Sequence, residues 1–116
     1  MTFRVTVLGS SSAMPTLKRN PSAHALNVHE QFFLIDCGEG TQVTMKMLGW
    51  GFKAIDVICF THFHADHISG LPGLLLTIGN AGRTEPLMLI GPVGLQRIVE
   101  GLTLIAPELP FPIEYI

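Results

Sequence analysis

The sequence predicts an α/β fold with a mixed β-sheet and flanking helices. Two observations carry the prediction. Strand-like stretches come first and then alternate with helical ones, and the composition is that of strands covered on both faces. Of 116 residues 47% are hydrophobic and only 14% charged, with a mean hydropathy of +0.43; soluble domains average about 25% charged residues. A membrane segment is the rival explanation, but the longest uncharged stretch, Ile68 to Gly82, is broken by Pro72 and four glycines. It falls short of the ~18 residues a spanning helix needs. Strands covered on both faces read as continuous apolar runs, and a face awaiting another chain or segment adds to the effect. The length suits one small domain, residues 1–116.

Phe3 to Leu8 alternates and runs into Gly9-Ser10-Ser11-Ser12, a strand entering a small-residue loop. Residues Pro15 to Pro21 are irregular. Ala23 to Val28 and Gln31 to Ile35 are two strands joined by a His29-Glu30 turn. A Gly-rich loop, Asp36-Cys37-Gly38-Glu39-Gly40, precedes a helix over Thr41 to Leu48, stopped by Gly49 and Gly51. Ile55 to Thr61 is a strand. Leu71 to Ile78 is a helix with Pro72 in its first turn, where a missing N–H does no harm. Leu87 to Ile90 is a strand, Val93 to Ile105 a helix and Pro112 to Ile116 a last strand. A doubly wound nucleotide fold is discounted, because neither glycine loop supplies G-x-G-x-x-G.

Net charge is −2 and the basic residues are scattered, so no basic patch marks a free-standing nucleic-acid binder. Met1 to Gly9 lacks the pattern of a signal peptide. Cys37 and Cys59 have no metal-type spacing and are read as reduced, small apolar residues of a cytoplasmic protein. No membrane association is expected.

The chemistry concentrates in Thr61-His62-Phe63-His64-Ala65-Asp66-His67, at the end of the apolar stretch Ile55 to Phe60. Three of five histidines and one of three aspartates fall within six residues. Imidazole and carboxylate at this density suit zinc or another borderline divalent metal, which offsets the desolvation and repulsion that such crowding costs. Strand alternation puts His62 and His64 on one side. Asp66 and His67 follow after a turn and could face a neighbouring metal. Single histidines such as His24 and His29 are read as ordinary surface or hydrogen-bonded residues.

H-x-H-x-D-H after a buried strand resembles the metallo-β-lactamase superfamily. The wider pattern resembles the N-terminal part of the ribonuclease Z family of tRNA 3′-processing endonucleases. The stretches that carry it are Leu8-Gly9-Ser10 with Pro15-Thr16 and Arg19-Asn20; Asp36-Cys37-Gly38-Glu39-Gly40-Thr41-Gln42; the cluster with Ile68 and Gly70-Leu71-Pro72-Gly73-Leu74; and Pro86-Leu87 through Gly91-Pro92 with Gly94-Leu95. The resemblance implies the N-terminal half of an αβ/βα four-layer sandwich with two zinc ions at one edge. By it, His62 and His64 bind the first zinc and Asp66 and His67 the second, and Asp66 takes the proton of the attacking water. It implies an endoribonuclease that removes the 3′ trailer of precursor tRNA, working as a homodimer. The alternatives are a hydrolase of a small phosphodiester, sulfate ester or thioester on the same fold, or an inactive fragment that only binds a partner.

Ala65 stands where the family often has glycine. The family completes its site with a further histidine, a bridging aspartate and a last histidine downstream, whereas no histidine follows His67 and no aspartate follows Asp66 here. The expectation is half a site with the C-terminal half absent, and a 116-residue chain inactive alone. Glu39 is read as shaping its loop through backbone N–H groups, and Gly38 and Gly40 as permitting positive φ. Lys18 and Arg19 are solvated or touch RNA phosphate. The run Leu74-Leu75-Leu76 is assigned to the core.

Overall fold

The computed structural model describes residues 3–9, 23–28, 31–49, 51–105 and 108–116. Six strands form one sheet in sequence order: β1 (Phe3–Gly9), β2 (Ala23–Val28), β3 (Gln31–Ile35), β4 (Val57–Cys59), β5 (Leu87–Ile90) and β6 (Ile113–Tyr115). β1, β2 and β3 pair antiparallel, and β3 through β6 pair parallel. The sheet is therefore mixed, as predicted. Each parallel step needs a crossover, and helices supply it: α1 (Thr41–Met47) after β3, α2 (Ala65–Ile68) and α3 (Leu71–Asn80) after β4, and α4 (Leu95–Leu102) after β5. Short 3-10 turns occupy Phe52–Ala54 and Thr103–Ile105. No helix among the described residues is long and apolar enough to cross a membrane.

Three local differences from the sequence reading have physical causes. The strand expected over Ile55 to Thr61 is regular only at Val57–Cys59, with single flanking bonds from Asp56 N–H to Phe32 O (2.9 Å) and from Phe60 N–H to Ile90 O (2.8 Å), as the chain bends into the loops at either end. The last helix is α-helical only over Leu95–Leu102 and tightens into the 3-10 turn, a common way to end a helix. Leu76, assigned to the core, is 41% exposed. On α3 the buried positions are Leu71, Leu74, Leu75 and Ile78, an i, i+3, i+4, i+7 stripe that leaves residue 76 on the far side. Residues 10–22, with Lys18 and Arg19, and the His29-Glu30 turn lie outside the described residues, as does the His24 side chain.

The two faces of the sheet differ. Register aligns Ala25, Leu34, Ile58 and Leu89 across β2, β3, β4 and β5. All four are fully buried, and they join the α3 stripe in one core cluster. Burying each large side chain contributes on the order of 2 kcal/mol, so this face holds the sheet to α3. By the pleat, Phe33, Val57 and Met88 and then Ile35, Cys59 and Ile90 point the other way. Of these only Val57 is buried, and Ile90 is 36% exposed. This second apolar face is half-covered.

Candidate metal centre

The site lies at the carboxyl ends of β3 and β4, where two loops meet. β3 delivers Asp36 and β4 delivers Thr61. Asp36 is the one described non-glycine residue in the left-handed region, at φ 61°, a conformation that costs of order 1 kcal/mol or more outside glycine and is favoured by Asp among the rest. Its N–H donates to Cys59 O (2.7 Å), which ties the turn to β4. Its carboxylate is 5% exposed and accepts from Thr61 N–H at 2.9 Å.

Main-chain bonds then clamp this loop to α2. Cys37 N–H donates to His67 O (2.7 Å), and Gly70 N–H donates to Cys37 O (2.9 Å). The backbones touch: a Cβ on Gly70 would lie 2.0 Å from Gly38 O, so only glycine fits. The Gly38 carbonyl also accepts the Thr41 hydroxyl (2.7 Å), starting α1 behind Gly40, which takes φ 85°; of the glycine pair, Gly40 is the one at positive φ. Cys37-Gly38 and Gly70, distant in sequence, thus meet in one contact. Glu39 is exposed on its rim.

The cluster runs from an extended segment into the one-turn helix α2, which carries Asp66 and His67. His62, Asp66 and His67 bring one ligand atom each to within 4.8 Å of one another. The His62 and His67 rings are 3.9 Å apart between centroids, so His62, expected to pair with His64, shares one space with the Asp66-His67 pair. His64 does not join the three. It is exposed, with its ring edge-on to His62 at 4.5 Å.

The donor chemistry fits a cation. An ionised carboxylate only accepts, so at 2.6 Å from Asp36 Oδ2 the His67 Nδ1 carries the proton. In the neutral ring Nε2 then presents its lone pair to Asp66 Oδ2, 3.3 Å away. A proton on Nε2 makes this contact an ion pair; with the ring neutral, two acceptors face each other across the gap. A divalent cation relieves the repulsion, and a ligand histidine whose other nitrogen is held by a carboxylate is the usual arrangement around one. His62, Asp66 and His67 are the residues positioned to hold it.

Asp36 had no site role in the sequence reading. The only signal was an acidic residue closing an apolar strand, and its partner His67 lies 31 residues on. Cys37, beside it, is fully buried; burial pushes its thiol up to about 12, with the Asp36 charge adding to the rise and a Thr41 hydrogen bond opposing it. Cys59 is half-buried and its thiol is raised by burial and by Asp36.

Comparisons with known proteins place the chain in a family and a fold. A family model described as anti-Pycsar protein Apyc1 matches residues 3–99. Ribonuclease Z of Clostridium acetobutylicum is 55% identical over 112 residues, which cover 97% of this chain and 36% of that protein. The chain thus spans about a third of the length of such relatives. Among solved structures, the short form of human tRNase Z superimposes with a TM-score of 0.86 at 36% identity, over 98% of this chain and 43% of that one. The metallo-β-lactamase fold protein YhfI of Bacillus subtilis superimposes with a TM-score of 0.76 at 21% identity, over 98% and 46%. The chain belongs to the family that the Apyc1 model describes, has the metallo-β-lactamase fold, and is homologous to ribonuclease Z over 97% of its length.

Proposed function

We propose that this chain carries the first part of the active site of a zinc-dependent endoribonuclease that removes the 3′ trailer from precursor tRNA. The observation that carries the reading is the convergence of His67 Nε2 and Asp66 Oδ2, 3.3 Å apart, with His62 in one group of ligand atoms. In this reading His62, His64, Asp66 and His67 are the metal ligands. Zinc bound there supplies Lewis acidity and neutralises charge at a phosphodiester. Asp66 takes the proton of the attacking water, the water oxygen bonds to phosphorus, and the bond from phosphorus to the tRNA 3′-oxygen breaks; the phosphate stays on the trailer and the 3′-oxygen takes a proton from solvent to become the 3′-hydroxyl. Asp36 holds the His67 ring in place throughout.

The remaining ligands belong to further sequence in the same protein, of which this chain is the N-terminal portion. Relatives about three times its length and the half-covered sheet face around Ile35, Cys59 and Ile90 support that. A homodimer and a cytoplasmic location complete the proposal. Identity of 55% to ribonuclease Z favours precursor tRNA. The second reading, hydrolysis of a small phosphodiester, uses the same residues.

The test is to incubate the full-length protein with precursor tRNA bearing a 3′ trailer and, separately, with bis(p-nitrophenyl) phosphate. Trailer release leaving a 3′-hydroxyl, reduced at least ~100-fold by Asp66→Asn, is expected. Hydrolysis of the small diester with intact precursor tRNA selects the second reading, and activity untouched by Asp66→Asn contradicts the assigned role.

A further inference from the structure

We propose that Asp36 fixes the tautomers of two histidines, His67 directly and His62 through the Thr61 hydroxyl, which makes Thr61 a positioning residue for the metal-facing nitrogens. Thr61 Oγ1 lies 3.1 and 2.9 Å from the two Asp36 oxygens and 3.0 Å from His62 Nδ1. A hydroxyl has one proton to give and two lone pairs to receive. The Asp36 carboxylate only accepts, and already takes Thr61 N–H on Oδ1 and His67 Nδ1–H on Oδ2. If the hydroxyl proton turned toward His62, its lone pairs would face both carboxylate oxygens at contact distance. The proton therefore goes to Asp36, and His62 Nδ1 must donate to Thr61 Oγ1.

In their neutral forms the two rings then share one protonation pattern. Each carries its proton on Nδ1 and leaves the Nε2 lone pair free. One carboxylate, 5% exposed and held at φ 61°, sets both, at one remove for His62. The main-chain N–H and hydroxyl of Thr61 both bond to it, so threonine is anchored twice before its hydroxyl receives the imidazole. The donor atoms are ready without tautomer exchange when a cation arrives, as ligand histidines require. This last consequence rests on the ligand reading proposed above; the tautomers themselves do not.

The experiment is long-range nitrogen–proton correlation NMR on full-length protein with 15N-labelled histidine, metal-free, beside a cobalt(II) titration followed by absorbance. The wild type is expected to show the Nδ1–H tautomer at His62 and His67. Thr61→Val should turn His62 toward the Nε2–H form that free histidine prefers, leave His67 unchanged, and weaken cobalt binding about tenfold. Thr61→Ser should restore the His62 tautomer and the cobalt affinity. His67 is the internal control, because general misfolding would move both rings, and the serine variant then decides. His62 protonated at Nε2 in the wild type, or held on Nδ1 in Thr61→Val, overturns the proposal. If the tautomers behave as expected while cobalt binding is absent in every variant, the relay stands and the metal reading falls.

Discussion

The two ends of β4 both carry charged side chains and use them in opposite ways. At the amino end, Asp56 accepts Phe32 N–H (2.9 Å). There too Arg83, 6% exposed, donates to the carbonyls of Ile55, Glu85 (2.9 Å) and Pro86 (2.5 Å). Burial lowers the Arg83 guanidinium from its usual range, with Asp56 and Glu85 opposing that. These hydrogen bonds all join a charged side chain to main chain. At the carboxyl end, Asp36 also bonds the main chain, but His62, Asp66 and His67 bring their ligand atoms toward one another. Charge consumed by backbone holds strands together. Charge facing charge-seeking atoms across a gap is arranged for something added. The contrast separates a structural polar cluster from a candidate centre when both are rich in ionisable groups.

The strongest way to break this comparison is at the amino end. Arg83→Met removes donors from three carbonyls, one of them on buried Ile55. It should cost about 3 kcal/mol in denaturant unfolding, while the folded fraction keeps its metal affinity. A loss under about 1 kcal/mol would mean the arginine is no staple. Gly70→Ala acts at the other end, where the new Cβ meets Gly38 O at 2.0 Å. A cost of about 2 kcal/mol is expected, and here metal affinity should fall too, since Asp36 moves with the loop. An intact site in that variant would separate the Gly70 contact from the centre.

How much of this was legible in the sequence follows from the range of each interaction. The α3 stripe and the antiparallel strands β1, β2 and β3 follow from local periodicity, and the structure has them where expected. The assignment of Leu76 to the core failed because a run of three leucines hides the helical period that a stripe reveals. α2 escaped because four residues are too few for any period. His62, His64, Asp66 and His67 stood out as a dense run, but the grouping of His62 with Asp66 and His67 depends on how α2 turns. Asp36 needed β3 and β4 to be paired before its partners Thr61 and His67 could be found, 25 and 31 residues away.

A smaller effect sharpens the description of the carboxyl end. With its thiol pushed up to about 12 and no exposure, Cys37 holds almost no thiolate at pH 8. It should resist iodoacetamide in the native protein and react only on unfolding, since its raised pKa is lost there. Cys59, raised but half-exposed, should label first, as read by peptide mass spectrometry. Native labelling of Cys37 ahead of Cys59 would mean that the loop beside Asp36 is open.

The most direct test of the central claim is the zinc content of the full-length protein after exhaustive dialysis, compared with His67→Ala and Arg83→Met. The account predicts stoichiometric zinc in the wild type and in folded Arg83→Met, and a loss of at least about tenfold in zinc affinity in His67→Ala. Equal zinc in the wild type and His67→Ala would contradict it, because the acceptors gathered at the carboxyl end of β4 would then not be what holds the metal.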